Sequence, residues 1–245
     1  RKRFMKKAGK LTALLLVAAL LCVAAGAEGR VAGGERSANK YVALTFDDGP
    51  TGALTAQLLD GLRERYVSAT FFLCGYRAEE YPALVRRMAE EGHELAIHGW
   101  RHAYLHTMAQ AEIREELKGT GELIAGLTGV RPKLFRPPGG LCSETVMEEA
   151  AQEGLAAILW SVDPEDWSTH DAGAVVRRVQ KKARDGDILL MHDLSPSSVT
   201  AALRLIDQMT AQGYQFCTVS ELAAIRGKRL EAGEKYYKFP KETEA

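Results

Sequence analysis

Two adjacent carboxylates, Asp47 and Asp48, follow an apolar run at residues 42–46 and precede Gly49-Pro50. On an extended backbone successive side chains face opposite sides, so one carboxylate can face a metal while the other faces a water or a substrate. The same four residues are also ordinary turn chemistry, and the stretch by itself leaves both readings open. Further along, His98 and His102 frame the sequence HGWRH. If a single helical turn follows the preceding strand, these i and i+4 imidazoles share a face and can grip one ion. Arg136 opens RPPGG, Asp166 and Trp167 close DPEDW, and His192 and Asp193 close LMHD. Two His and one Asp would leave coordination positions open, the arrangement in which a metal activates water near neutral pH. The second Asp is then free to take a proton from that water, and His192 to protonate a leaving group from the other side. Taken singly, each of these residues is ordinary; a lone HxxxH is a weak signal, and His93, His106 and His170 read as structural or loop residues.

What joins them is their position relative to the predicted elements. Short apolar runs at residues 42–46, 69–74, 94–98, 133–136, 155–162, 187–191 and 214–219 read as strands. Between them lie apolar stripes at helical spacing, at 53–66, 79–91, 108–127, 143–153, 171–184, 197–211 and 220–227. Thr107, Ser143, Asp171 and Ser220 stand where N-caps are expected. Each chemically unusual residue falls at the carboxyl end of a strand. Alternating strands and helices imply parallel strands with right-handed crossovers, either a barrel or an open doubly wound sheet. In a parallel barrel those strand ends share one face, where loops build a site. Seven units leave an eightfold barrel one short, so the expected α/β fold is a distorted, incompletely closed (β/α)7 barrel. Residues 228–245 are polar and read as a loose C-terminal tail, although Tyr236, Tyr237 and Phe239 could dock on the domain.

The first 27 residues have the layout of a secretory signal peptide: a basic start, an apolar run at 11–25, and the small-residue site Ala25-Gly26-Ala27. The apolar run is shorter than the roughly 20 residues of a spanning helix, with an uncleaved anchor as the alternative. Cys22 follows Leu21 rather than a small residue, which argues against lipid attachment. Of the 32 Lys and Arg, six lie in this segment, which carries no acid, so the remainder is acidic by six charges. Phosphate binding needs a basic face, and nucleic acid is therefore not an expected partner. Cys74, Cys142 and Cys217 are too few and too widely spaced for a disulfide framework. The expected setting is secreted or cell-surface, with membrane contact only through an uncleaved first segment.

In five stretches, TFDDGP, HGWRH, RPPGG, DPEDW and LMHD, the chain resembles the polysaccharide deacetylase family, the NodB-homology domain of carbohydrate esterase family 4. The resemblance covers about residues 40–226, and the domain is placed at 40–227. It implies Asp47 as general base and Asp48, His98 and His102 as ligands of one divalent metal, zinc first, with cobalt, manganese or nickel as alternatives. It further implies that Arg136 orients Asp47, that Asp166 pairs with His192 as general acid, that Trp167 walls the groove and that Leu190 lines an acetyl pocket. Two departures stand out. Gly99 replaces the Ser or Thr that usually follows the first His, which removes a hydroxyl expected to fasten the ligand loop. Gly139 replaces a frequent Tyr; it keeps the backbone N–H that serves as oxyanion donor but loses an aromatic wall. The activity implied is removal of N-acetyl groups from N-acetylglucosamine-type residues of a cell-wall polysaccharide, peptidoglycan or chitin-like. An O-acetyl esterase of xylan type and a non-catalytic wall-binding protein are the alternatives.

Overall fold

The computed structural model describes residues 40–241. The signal-peptide or anchor reading of residues 1–27 lies outside them, and among the described residues no helix is long and apolar enough to cross a membrane. Eight strands, β1 (Lys40–Asp47), β2 (Thr70–Leu73), β3 (Glu94–Ile97), β4 (Leu134–Phe135), β5 (Ala156–Ile158), β6 (Ile188–His192), β7 (Tyr214–Cys217) and β8 (Lys235–Tyr236), form one parallel sheet. Their order is β6-β1-β2-β3-β4-β5-β8, and β7 also pairs with β1. Ala43 is paired with Ile188 on one edge and with Cys217 on the other, so β7 lies ahead of β2 on the same side of β1. The sheet curls into an incompletely closed barrel. Between the β5 and β6 sides no strand pairing closes the ring among the described residues; isolated bridges, Val162 to Leu189 and Asp187 to Lys238, and a few loop hydrogen bonds link them.

Eight helices surround the sheet: α1 (Ala53–Glu64), α2 (Gly75–Glu80), α3 (Pro82–Glu90), α4 (Gln110–Thr128), α5 (Glu144–Gln152), α6 (Ala172–Lys182), α7 (Pro196–Ala211) and α8 (Val219–Ile225). Strands of a parallel sheet are covered on both faces, and β2 is buried at every position. The period-two alternation of β1 sorts its side chains. Val42, Leu44 and Phe46 join the layer that holds Leu58, Leu62, Val175 and Leu205 of the helices. Ala43 joins the opposite cluster with Phe72, Ala96, Leu134 and Ile158. Thr45 and Asp47 share that second parity, so the same alternation that builds the core delivers Asp47 to the interior at the strand's end.

Ser143 and Asp171 cap α5 and α6 through side-chain acceptors for the N–H of Val146 and Ala174. Several expectations are corrected. The single helix at 79–91 is two, because Pro82 cannot donate the backbone bond that would continue α2. Thr107 lies in a 3-10 turn, and Ala109 begins α4 with its N–H held by Glu112 at 3.0 Å. Thr218, not Ser220, caps α8.

The largest correction concerns the C-terminal segment. Within residues 228–241 the chain is not loose: β8 adds to β5 with Lys235 opposite Ala157, Lys238 bridges Asp187, and the Phe239 N–H bonds the Gly186 carbonyl at 2.7 Å. Phe239 is buried and stacks on Tyr236 with ring centroids 5.6 Å apart. One apolar side chain in a polar stretch anchors the whole segment. Phe239→Ala should therefore destabilise the fold by about 3 kcal/mol, the usual cost of truncating a buried Phe. The exposed Tyr237→Ala should stay within about 0.5 kcal/mol. Thermal unfolding of the two variants checks this, and equal melting temperatures would show that the segment carries no stability.

Candidate active site

The ends of β1, β3, β4 and β6 bring the sequence-predicted residues onto one rim. Arg136, directly after β4, is wholly buried. Its Nε donates to the Ile158 carbonyl at 2.8 Å and its Nη2 to the Leu159 carbonyl at 3.0 Å. Nη1 donates to Thr45 Oγ1 at 2.8 Å and to Asp47 Oδ1 at 2.6 Å. The guanidinium lies 4.0 Å from the Phe72 ring centroid and 5.5 Å from that of Trp160. Asp47 is thus a buried carboxylate with one oxygen committed to a fixed cation. Its other oxygen, Oδ2, lies 3.8 Å from His98 Nε2.

Asp48 leaves the strand with φ 73°, which turns its carboxylate away from the position Asp47 takes. Its Oδ1 lies 3.1 Å from Nε2 of His98 and 3.1 Å from Nε2 of His102. Burial pushes the Asp48 carboxyl up, but the two imidazoles outweigh burial and hold it well below the usual carboxylate range. The closeness of the Asp48 carboxylate in turn raises His102, against the effect of burial. His98 Nδ1–H donates to the carbonyl of Arg136 at 2.7 Å. That bond fixes the tautomer and aims the Nε2 lone pair at Asp48. Asp48 Oδ1 is buried and no donor is aligned on it. Acceptor faces acceptor at 3.1 Å, an arrangement that a cation would satisfy. Among the described residues these three are a set whose ligand atoms lie within 4.8 Å of one another, and the donor set fits a divalent ion with positions left open.

The geometry that joins the two imidazoles differs from the expected helical turn. Residues 98–102 form an irregular loop in which Gly99 has φ 80° and His102 φ 57°. Nor is this loop left unfastened by the missing hydroxyl at Gly99. Glu116, buried on α4, accepts the N–H of Trp100 at 2.5 Å and of Arg101 at 2.9 Å, and pairs with Arg101 Nε at 2.7 Å. A Cβ at Gly99 would stand 3.2 Å from the same carboxylate. The signal for Glu116 was an acid inside an apolar stripe, between Ile113 and Leu117 on one side and Thr120 on the next turn. Trp100 packs against Gly75 and Gly119, its ring 2.4 Å from where a Cβ of Gly75 would be.

On the β6 side, Asp166 is buried and holds His192 twice. Its Oδ2 accepts the His192 backbone N–H at 3.0 Å and its Oδ1 accepts Nδ1–H at 2.8 Å. Burial opposes the charged ring, but Asp166, with Asp47 and Asp48 beyond it, raises His192 to about 9. Leu190 is buried, and Trp167 is exposed. Gly139 sits in a short turn with φ 69°. Two further groups, Thr45 and Asp193, were given no role by the sequence reading. Thr45 relays between Arg136 and the Leu189 carbonyl, to which its hydroxyl donates at 2.8 Å. Asp193 is fully buried and tied to the turn after β1: the Thr55 hydroxyl donates to its carboxylate, and Thr51 Oγ1 donates to its carbonyl at 2.6 Å.

A family model described as polysaccharide deacetylase matches residues 34–158. The chain is 39% identical over 199 residues to the peptidoglycan-N-acetylglucosamine deacetylase PgdA of Listeria monocytogenes, a match covering 81% of this chain and 41% of that protein. It is 37% identical over 188 residues to a peptidoglycan-N-acetylglucosamine deacetylase of Bacillus cereus, covering 75% of this chain and 88% of the relative. Among solved structures it is similar to a family 4 acetyl xylan esterase of Clostridium thermocellum in complex with a cobalt ion. There the identity is 34% and the TM-score 0.77, over 82% of this chain and all of the other. The chain spans about two fifths of the length of the first curated relatives it matches.

Two outcomes follow from the supports around the site. Glu116→Gln removes the charge that gathers the loop N–H groups. It should weaken divalent-ion affinity about tenfold, the range of second-layer substitutions, with the far-UV circular dichroism unchanged; calorimetric titration measures it, and unaltered affinity would remove Glu116 from the account. Asp166→Asn should bring the His192 titration, followed by NMR in metal-free protein, from about 9 down toward or below the 6.5 of a free imidazole. Because the folded value lies above the unfolded one, this pair stabilises the fold fully below pH 6.5. That stability is lost as pH rises through 9, and the Asn variant should lack this alkaline loss.

Proposed function

The chain belongs to the polysaccharide deacetylase family, and on that premise we propose that it is a secreted or cell-surface, metal-dependent hydrolase. It removes N-acetyl groups from N-acetylglucosamine-type residues of a cell-wall polysaccharide, peptidoglycan before a chitin-like chain. The observation that carries the reading is a buried carboxylate, Asp47, clamped by Arg136 beside the convergent set Asp48, His98 and His102, with a doubly held His192 on the β6 side. The deacetylase names of the relatives support the substrate class. The catalytic unit is placed at residues 40–227, of which the family match covers the part up to residue 158, with residues 228–241 as an added strap.

In this reading Asp48, His98 and His102 hold the ion, zinc first, with cobalt, manganese or nickel able to serve. The ion, when bound, polarises the acetyl carbonyl and lowers the pKa of water. Asp47 takes the proton of the attacking water. Its Oδ1 is fixed by Arg136, so Oδ2 is the oxygen left for the proton. A fixed, buried base loses little entropy on reaching the transition state. His192 delivers a proton to the departing nitrogen. Asp166 occupies Nδ1, so the proton must leave from Nε2, and a value of about 9 keeps the ring protonated at neutral pH. The Gly139 N–H faces the developing oxyanion, Leu190 lines the acetyl pocket, and Trp167 walls the groove. The likeness to an acetyl xylan esterase supports a second reading, O-acetyl ester cleavage by the same groups.

The decisive assay is acetate release from peptidoglycan, chitin oligomers and acetylxylan, with and without chelator. Release from the N-acetylated polymers that stops on chelation is expected, and none from any substrate would refute the hydrolase. Asp47→Asn should reduce kcat at least a thousandfold while ion content is kept. His98→Ala should lose both. An Asp47→Asn variant of undiminished rate would overturn the assigned base.

A further inference from the structure

Four of the large apolar side chains left exposed, Tyr104, Leu141, Trp167 and Leu194, stand on the loops that follow β3, β4, β5 and β6. Trp167 is already placed on the groove wall, and of the other three Tyr104 is the one aromatic ring. It is two residues beyond His102, and its ring is 56% exposed. The backbone beneath it is well held. Leu105 is fully buried, and the Tyr104 carbonyl accepts both the N–H of Thr107 at 3.0 Å and the Thr107 hydroxyl at 2.8 Å. The ring is also placed. Its Cε1 lies 2.9 Å from where a Cβ of Gly139 would be, closer than any side chain could tolerate. On another side lies His106, with ring centroids 5.9 Å apart. The absence of a side chain at Gly139 is thus the space into which the Tyr104 edge fits. The protein anchors an aromatic ring on both sides and still leaves most of it in water, beside the proposed metal set. An exposed ring held in this position presents an apolar face on which a ligand can pack.

We propose that Tyr104 is a specificity-determining residue, whose ring supplies the aromatic wall of the sugar groove on the β3–β4 side of the site. Its ligand is the C–H face of a pyranose ring in the acetylated polymer. Trp167, beside Asp166, does the same on the β6 side, so a sugar is gripped from two different loops. Gly139 is the residue that admits the Tyr104 edge. The proposal rests on the deacetylase reading above and goes beyond it in naming the residue that selects a sugar over a bare acetyl group.

The test compares the full chain and its Tyr104→Ala and Tyr104→Phe variants on two probes, an N-acetylglucosamine tetramer and 4-nitrophenyl acetate, which carries no sugar. For Tyr104→Ala, kcat/KM on the tetramer should fall about tenfold, mostly through KM. Its ratio to kcat/KM on the ester should fall at least fivefold. Tyr104→Phe, which keeps the ring, should remain within twofold of wild type on both probes. An unchanged ratio in the Ala variant overturns the proposal, as does a Phe variant as impaired as Ala. So does loss of bound ion in Tyr104→Ala, since that would make Tyr104 a support for His102. If the wild-type chain releases acetate from neither probe, the hydrolase reading fails by itself, and tetramer binding measured calorimetrically then decides this proposal. Binding at least fivefold weaker in Tyr104→Ala supports the wall; equal or absent binding overturns it.

Discussion

One buried guanidinium organises the site. Arg136 is stripped of water, a state costly for any cation unless every donor is matched and a counter-charge is near. The barrel interior supplies acceptors for four of the five N–H donors, two carbonyls from the end of β5 and one hydroxyl and one carboxylate from β1, with two aromatic rings close to the guanidinium. A planar, five-donor fork can satisfy that set; a lysine ammonium cannot. The same residue also serves through its backbone, since its carbonyl fixes the tautomer of His98. Side chain and main chain of Arg136 therefore hold the orientations of Asp47 and His98 together, on strands that are not neighbours in the sheet.

Around this centre, burial falls outward. Asp47, His98 and Arg136 are buried, His102 stands at the surface, and Trp167 and Tyr104 project into solvent. The inner residues are positioned by strand ends and by bonds to backbone. The outer ones depend on loops that are themselves clamped, by Glu116 beneath residues 99–101 and by the turn at 105–107. Such a gradient suits a site whose centre must be fixed within fractions of an ångström while its edge is open to solvent.

Much of this was legible in the sequence because the informative residues are strand-terminal. Short apolar runs located the seven principal strands, and their parallel crossovers placed every carboxyl end on one face. The features missed have local physical causes. The HxxxH spacing suggests a helical turn, yet left-handed backbone at Gly99 and His102 brings the imidazoles together in a loop. Glu116 is an acid inside the apolar stripe of α4, but only the packed loop shows which N–H groups it satisfies. The segment from 228 on is polar enough to read as a tail, and a single buried Phe239 with one short strand reverses that. Pro82 announces the break between α2 and α3, but a continuous apolar stripe across it masks the signal.

The claim on which the functional account turns is that Asp48, His98 and His102 close on one ion. Titrating the full chain with cobalt(II), followed by visible absorption, tests this most directly. The account predicts saturation at one ion per chain with a spectrum that is lost in His102→Ala. No uptake, or an identical spectrum once Asp48, His98 and His102 are all replaced, would contradict it.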